Sequence, residues 1–319
     1  MIEIFKYVFL LTLGLGLLVV SSDVFVEAAS SLAIRLKVPK MLIALTIAAF
    51  GTCAPELAIS FNSIASGNAD MTLANVIGSC IVNILLIVGI AAIVKPIKVK
   101  EETIKKELPL LLVITVAFFI LLNDSLFFRK IDNGLSRADA IMLICWFAFF
   151  MYYIFGVLKT HKKERQKNAK YSLIKSIVYI VITLIVIVLS SNIVVDNAAL
   201  LAEKIGISQK IIAMTVIVIG TSLPELTMTV ASARKGEFEM ALGNIIGTNI
   251  FNICIVLGLP TLIFGGYTSK AFNLVDSTVV IISALLYYLF GRSGKVLSRR
   301  EGVLMILTFI VYYIYLFIS

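Results

Sequence analysis

Apolar runs of about 20 residues recur along this chain, and they leave it few folds to choose from. A run of that length crosses the hydrocarbon core of a bilayer as a helix. Inside lipid, only helices and closed barrels satisfy their own backbone groups. Hydropathy places ten such runs, near 4–22, 41–65, 71–94, 108–123, 138–158, 173–191, 210–234, 239–264, 272–291 and 301–318. Of 319 residues, 60% are hydrophobic and 15% charged. Soluble domains carry about 25% charged residues, so a soluble globular chain is excluded. The first run, Ile4 to Val20, is followed by Ser21-Ser-Asp-Val-Phe without a small-residue cleavage pattern, and reads as a span rather than a removable leader.

A net charge of +9 invites a nucleic-acid reading, but the basic residues are scattered among short connectors. Topology explains that scatter better than a binding patch does. Of 28 Lys and Arg, 21 fall in or beside the connectors after runs 1, 3, 5, 7 and 9, among them Lys95, Lys98, Lys100, Lys162, Lys163, Arg165, Arg234, Arg292 and Arg300. The bias puts that side in the cytoplasm and both termini outside. The four cysteines (Cys53, Cys80, Cys145, Cys254) all lie within runs and show neither disulfide nor zinc spacing. They read as reduced thiols.

A repeat divides the chain. Shifting by 169 residues aligns Ser21–Gly89 with Ser190–Gly258 without a gap, and 16 of the 39 positions from Gly51 to Gly89 are then identical. The matches include Gly51/Gly220, Thr52/Thr221, Pro55/Pro224, Glu56/Glu225, Asn75/Asn244, Gly78/Gly247 and Asn83/Asn252. Chance likeness between apolar helices would match Leu and Ile, not Pro, Glu and Asn. Each copy holds five runs, an odd number, so the second must enter the membrane upside down. The expected architecture is an all-α membrane protein of ten transmembrane helices in two inverted five-helix repeats. Residues 1–158 form the first repeat, 159–172 a basic cytoplasmic loop, and 173–319 the second repeat. Inverted repeats with interrupted helices at matching places belong to secondary transporters whose site lies at the midplane.

The interruptions carry the chemistry. Gly51-Thr-Cys-Ala-Pro-Glu-Leu57 and Gly220-Thr-Ser-Leu-Pro-Glu-Leu226 each set a glutamate inside an apolar run. A charge at a membrane helix centre costs roughly 2.5–3.5 kcal/mol or more. Proline removes a backbone donor and frees nearby carbonyls. Thr52 and Glu56 share a helical face, and Asn75, Ser79 and Asn83 form a stripe at i, i+4 and i+8. The second half repeats this with Thr221, Ser222 and Glu225, then Asn244, Thr248 and Asn252. Symmetry would bring the two glutamates together among hydroxyls and amides. Such oxygen ligands suit hard cations like Ca²⁺ and Na⁺, and soft ligands are too few for copper or zinc. Two adjacent carboxylates need neutralising by one Ca²⁺, two Na⁺ or two protons. Mutually exclusive neutralisation is the basis of antiport.

The two G-T-x-x-P-E-L segments, each followed by N-x-x-G-(S/T)-x-x-x-N, resemble the alpha repeats of the calcium/cation antiporter superfamily, most of all its prokaryotic sodium/calcium exchangers. The resemblance covers both repeats, and span count and length agree over the whole chain. It implies a core of spans 2, 3, 7 and 8, with spans 1 and 6 sliding against it. By motif position it implies ligands at Thr52, Glu56, Ser79 and Asn83, and at Thr221, Ser222, Glu225 and Thr248, with carbonyls near Ala49 and Val218. Three positions depart from the pattern. Cys53 stands where the family usually has serine, Thr248 replaces a serine, and Asn252 occupies a position that is aspartate in several exchangers. Two carboxylates rather than three leave the sodium stoichiometry and the coupling ion open.

Plainer readings compete with these. Asn75 and Asn244 serve as interhelical glue as readily as ligands, and Gly78 or Gly247 as close-packing points. Asp23, Glu27 and Asp196 read as interface residues, and His161 as a solvated loop residue. The Lys159–Lys170 cluster could contact anionic lipid, but topology alone accounts for it. A Ca²⁺/H⁺ antiporter would use the same glutamates. An intramembrane enzyme is disfavoured, for the chain has no H-E-x-x-H, no G-x-S-x-G and no phosphate-cradling loop. A channel is disfavoured by the paired helix breaks. The expectation is a monomeric, multi-pass cell-membrane antiporter, not an enzyme, with Ca²⁺ and Na⁺ as cargo, the bilayer as its surroundings, and neither cofactor nor nucleic-acid partner.

Overall fold

The predicted runs are helical wherever the structure describes them. The computed structural model describes residues 2–123, 126, 133–160, 169–204, 206, 218–269 and 274–318. Its helices are α1 (Ile2–Leu36), α2 (Lys40–Thr52), α3 (Ala54–Ala65), α4 (Ala69–Val94), α5 (Glu101–Lys105), α6 (Glu107–Leu122) and α7 (Arg137–Thr160). They continue as α8 (Leu173–Lys204), α9 (Val218–Thr221), α10 (Leu223–Lys235), α11 (Phe238–Phe264), α12 (Leu274–Arg292) and α13 (Arg299–Ile318). Six of them are long and apolar enough to cross a membrane, and α2 with α3, bent by 46°, makes a seventh candidate. Most of the seventh predicted run before Val218, and His161 with most of the basic loop, lie outside the described residues.

The protein is all-helical across its described apolar runs, and strand pairing is confined to the connectors. Two short antiparallel ladders join the halves: β1 (Ile97–Lys98) pairs with β4 (Val296–Leu297), and β2 (Asn133–Leu135) with β3 (Tyr267–Ser269). Connectors this short leave backbone groups that must find partners, and each finds them in the other half.

Two helices also outrun their predicted ends. Hydropathy stops the first run near residue 22 and the sixth near 191, yet α1 continues to Leu36 and α8 to Lys204. The extension of α1 carries Asp23 and Glu27, whose charges are met by bases from elsewhere. Arg234 pairs with Asp23, while Lys170 and Lys235 reach Glu27 at 2.5 and 2.8 Å. Lys40 pairs with Glu237 at 2.7 Å on the same face, and Lys100 with Glu239. The connectors that the charge count assigns to one side are thus fastened to each other.

α1 lies along α8, and both touch α10. Leu18, Phe25, Ile187 and Val194 are buried between them in one apolar cluster. Their outer surfaces expose Phe5, Phe9, Ile174 and Ile185, an apolar skin that suits lipid. The main core joins α4 and α11 through Leu73, Ile77, Leu85, Ile245, Ile250 and Ile253. Glycine allows the closest approaches: a Cβ on Gly78 would stand 2.8 Å from Val218, and one on Gly247 would stand 2.7 Å from the Leu45 carbonyl. The close-packing reading of both glycines is therefore right.

Candidate cation site

The two helix breaks fall at equivalent residues. Cys53 (φ −77°, ψ 3°) separates α2 from α3, and Ser222 (φ −88°, ψ 7°) separates α9 from α10. Pro55 and Pro224 then sit in the first turn of the following helix, where the missing N–H does no harm to that helix. The preceding turn loses a donor in return. Thr52 donates its hydroxyl to the Ala49 carbonyl at 3.2 Å, and Thr221 donates to the Val218 carbonyl at 3.1 Å. The carbonyls expected to face an ion are thus touched by the threonines of the same motif. Gly220 differs from its counterpart, since its carbonyl accepts from Ser191 at 3.0 Å.

Each break presents its glutamate to the interior. Glu56 and Glu225 are both fully buried, and all four carboxylate oxygens lack a hydrogen-bond partner among the described residues. The two groups lie within electrostatic reach of each other, and the Thr52 side chain faces Glu225. No lysine or arginine caps either acid in any described ion pair. Such a pair is unstable by itself, because removing a charge from water without a counter-charge costs several kcal/mol. The arrangement demands a cation or protons.

Other oxygens of the two motifs are buried as well. Ser79 Oγ, Asn83 Oδ1, Ser222 Oγ, Thr248 Oγ1 and both polar atoms of Asn252 are buried and have no hydrogen-bond partner among the described residues. Ser79, Asn83, Thr248 and Asn252 are wholly inaccessible, and Thr221 is nearly so. Asn83 and Asn252 each lie in a stretch of π-helix, Val82–Val88 and Asn252–Leu257. A π-turn widens the helix and is frequent at functional sites. No sequence signal announced either turn.

Asn75 and Asn244 separate from this group. The Asn75 amide donates to the Glu56 carbonyl at 3.3 Å, and Asn244 donates to Thr229 Oγ1 at 3.1 Å. Each amide thus ties the helix that carries it to the broken one of its half, as interhelical glue would, while Asn244 Oδ1 stays buried with no hydrogen-bond partner among the described residues. The stripe reading also missed Asn249, fully buried and accepting from Asn83 Nδ2 at 3.2 Å. Its repeat partner is Cys80, and that mismatch hid it from an identity count. Among the described residues, no three His, Cys, Asp or Glu side chains converge as metal ligands.

A helical membrane protein with two broken helices and a pair of buried, uncompensated acids has the construction of a cation carrier. The sequence matches the sodium/calcium exchanger protein family over residues 6–156 and 175–318. This chain belongs to the sodium/calcium exchanger family. It is 37% identical to the putative antiporter CaxA of Alkalimonas amylolytica over 96% of this chain and 97% of that protein. It is 30% identical to the sodium/calcium exchanger MaX1 of Methanosarcina acetivorans, with 97% of each covered. The fold matches the sodium-calcium exchanger NCX_Mj, soaked with zero Na⁺ and Ca²⁺, with a TM-score of 0.83 at 30% identity and 99% of both chains covered.

Proposed function

We propose that this protein exchanges Ca²⁺ for Na⁺ across the cell membrane, by alternating access to a site between Glu56 and Glu225. The observation that carries the proposal is the pair of wholly buried carboxylates with no hydrogen-bond or basic partner among the described residues. One Ca²⁺ neutralises both; two Na⁺ do the same at other times. Thr52, Ser79, Asn83, Thr221, Ser222, Thr248 and Asn252, with the Ala49 and Val218 carbonyls, would complete an oxygen shell of the kind hard cations take. Membership of the exchanger family and the likeness to NCX_Mj support this reading.

The proposed membrane arrangement is ten spans in two inverted halves. The basic connectors face the cytoplasm and both termini lie outside. Matched breaks at Cys53 and Ser222, and matched π-turns in α4 and α11, support the internal symmetry. α1 and α8 would then move as one against the helices that hold the site. An emptied site carries two unbalanced charges, so it resists crossing between inward- and outward-facing states, and that resistance couples the two ions.

One feature favours a second reading, in which protons replace sodium. The shell holds two carboxylates and a neutral Asn252, a number that two protons also balance. Radioactive Ca²⁺ uptake into proteoliposomes decides between them. Uptake driven by an imposed sodium gradient supports the first reading; uptake driven by a pH gradient alone overturns it in favour of the second.

A further inference from the structure

Resting on the sodium-coupled reading, we propose that Cys53 sets the sodium dependence of exchange, by withholding from the first half a hard oxygen that Ser222 supplies in the second. The two residues are related by the repeat, occupy the same break between helices and share a backbone conformation. Both are buried. Ser222 Oγ has no partner among the described residues and can turn to an ion. Cys53 presents sulfur instead, 3.9 Å from the Thr248 carbonyl, and its thiol lies within electrostatic reach of both Glu56 and Glu225. Sulfur is a poor ligand for a hard ion, so at this position the first half offers no side-chain oxygen.

A second thiol points the same way. Cys80 lies within electrostatic reach of Glu56, and its repeat counterpart is the amide Asn249. The repeat thus sets sulfur at two first-half positions whose second-half counterparts carry oxygen or an amide. These thiols do not gather with the acids into a soft-metal cluster among the described residues, so sulfur here subtracts a ligand rather than adding one. Ca²⁺ is held chiefly by the two carboxylates and loses little. Na⁺, with half the charge, leans more on neutral oxygens and loses more.

The test is Ca²⁺ uptake into proteoliposomes, measured against internal sodium, for wild type, Cys53→Ser, Cys53→Ala and Ser222→Cys. Cys53→Ser should lower half-saturating sodium by about five-fold, the effect of one added polar contact, and steepen the sodium curve. Cys53→Ala should follow the wild-type curve, and Ser222→Cys should shift in the opposite direction. A Cys53→Ser curve that overlays wild type refutes the inference, as does a Cys53→Ala protein that needs more sodium, since the thiol would then be a ligand. Sodium-free Ca²⁺/Ca²⁺ exchange, run on all four proteins, separates the two levels. Ca²⁺ exchange that persists while every variant ignores sodium overturns sodium coupling itself. Sodium-driven uptake with identical curves overturns the role of Cys53 alone.

Discussion

Gly247 meets Ala49 so closely that a Cβ on the glycine would stand 2.8 Å from the alanine's own, and Gly78 meets Val218 at the same distance. The pairs are the same pair twice, for Ala49 and Val218 are repeat counterparts, as are Gly78 and Gly247. Each half presses its glycine against the broken helix of the other half, beside the residue whose carbonyl the site would use. Close approach of the halves and construction of the site are one requirement.

The two contacts differ in what could yield. Behind Gly247 stand the carbonyl and Cα of Leu45, which are backbone, whereas the nearest atoms to Gly78 are all of the Val218 side chain. Gly247→Ala should therefore destabilise by about 1–3 kcal/mol, the range for overpacking a tight core. Gly78→Ala should cost less and be restored by adding Val218→Ala. Gly16→Ala, with nothing within 4 Å, is the control. Thermal unfolding in detergent reads all four, and a Gly247→Ala protein as stable as the control would contradict the packing argument.

The ion pairs around α1 form a latch on the basic face. Glu27 accepts from Lys170, Lys235 and Tyr171, the last at 3.0 Å, and Asp23 binds Arg234. The repeat carries Glu27 onto Asp196, but it carries Arg234 and Lys235 onto Ala65 and Ser66, neither of them a base. Removing Lys235 should open the basic face more often. A cysteine placed at the buried Ser30 should then react faster with a polar maleimide in Lys235→Gln than in the parent, above the background of native thiols. Equal rates would show that the latch holds nothing shut.

Glu101 gives a pH prediction outside the membrane. Hydrogen bonds from Lys105 and Lys295 hold its carboxyl down at about 2. A folded-state value below the unfolded one means stability present above the unfolded pKa, near 4.5, and lost as pH falls toward 2. Lys295 adjoins β4, so the pair ties α5 to the β1–β4 connector. Glu101→Gln should lower the melting temperature slightly at pH 7, because the pair is exposed and screened, and the difference should vanish near pH 2. A difference that stays constant with pH would rule out this linkage.

The sequence made the broken helices easy to find, because Glu and Pro inside apolar runs have no cheap structural explanation. The 169-residue repeat likewise marked Ser79, Asn83, Thr248 and Asn252, all of which are buried. Other features depend on partners distant in the chain. Asp23 and Glu27 stop a hydropathy window, and only Arg234, Lys170 and Lys235 reveal that α1 runs on to Leu36. The π-turns at Val82–Val88 and Asn252–Leu257 arise from helix packing, for which no local composition codes. Asn75 could be separated from Asn83 only once its amide was seen on the Glu56 carbonyl.

Neutralising the acids one at a time is the direct test of the site. Glu56→Gln and Glu225→Gln keep shape and remove charge, and both proteins should elute and melt like folded wild type. In proteoliposomes with an imposed sodium gradient, each should lose Ca²⁺ uptake by about a hundred-fold or more, as expected when a charged ligand is removed from a buried site. Wild-type rates of sodium-driven Ca²⁺ uptake in both variants would remove Glu56 and Glu225 from the transport site.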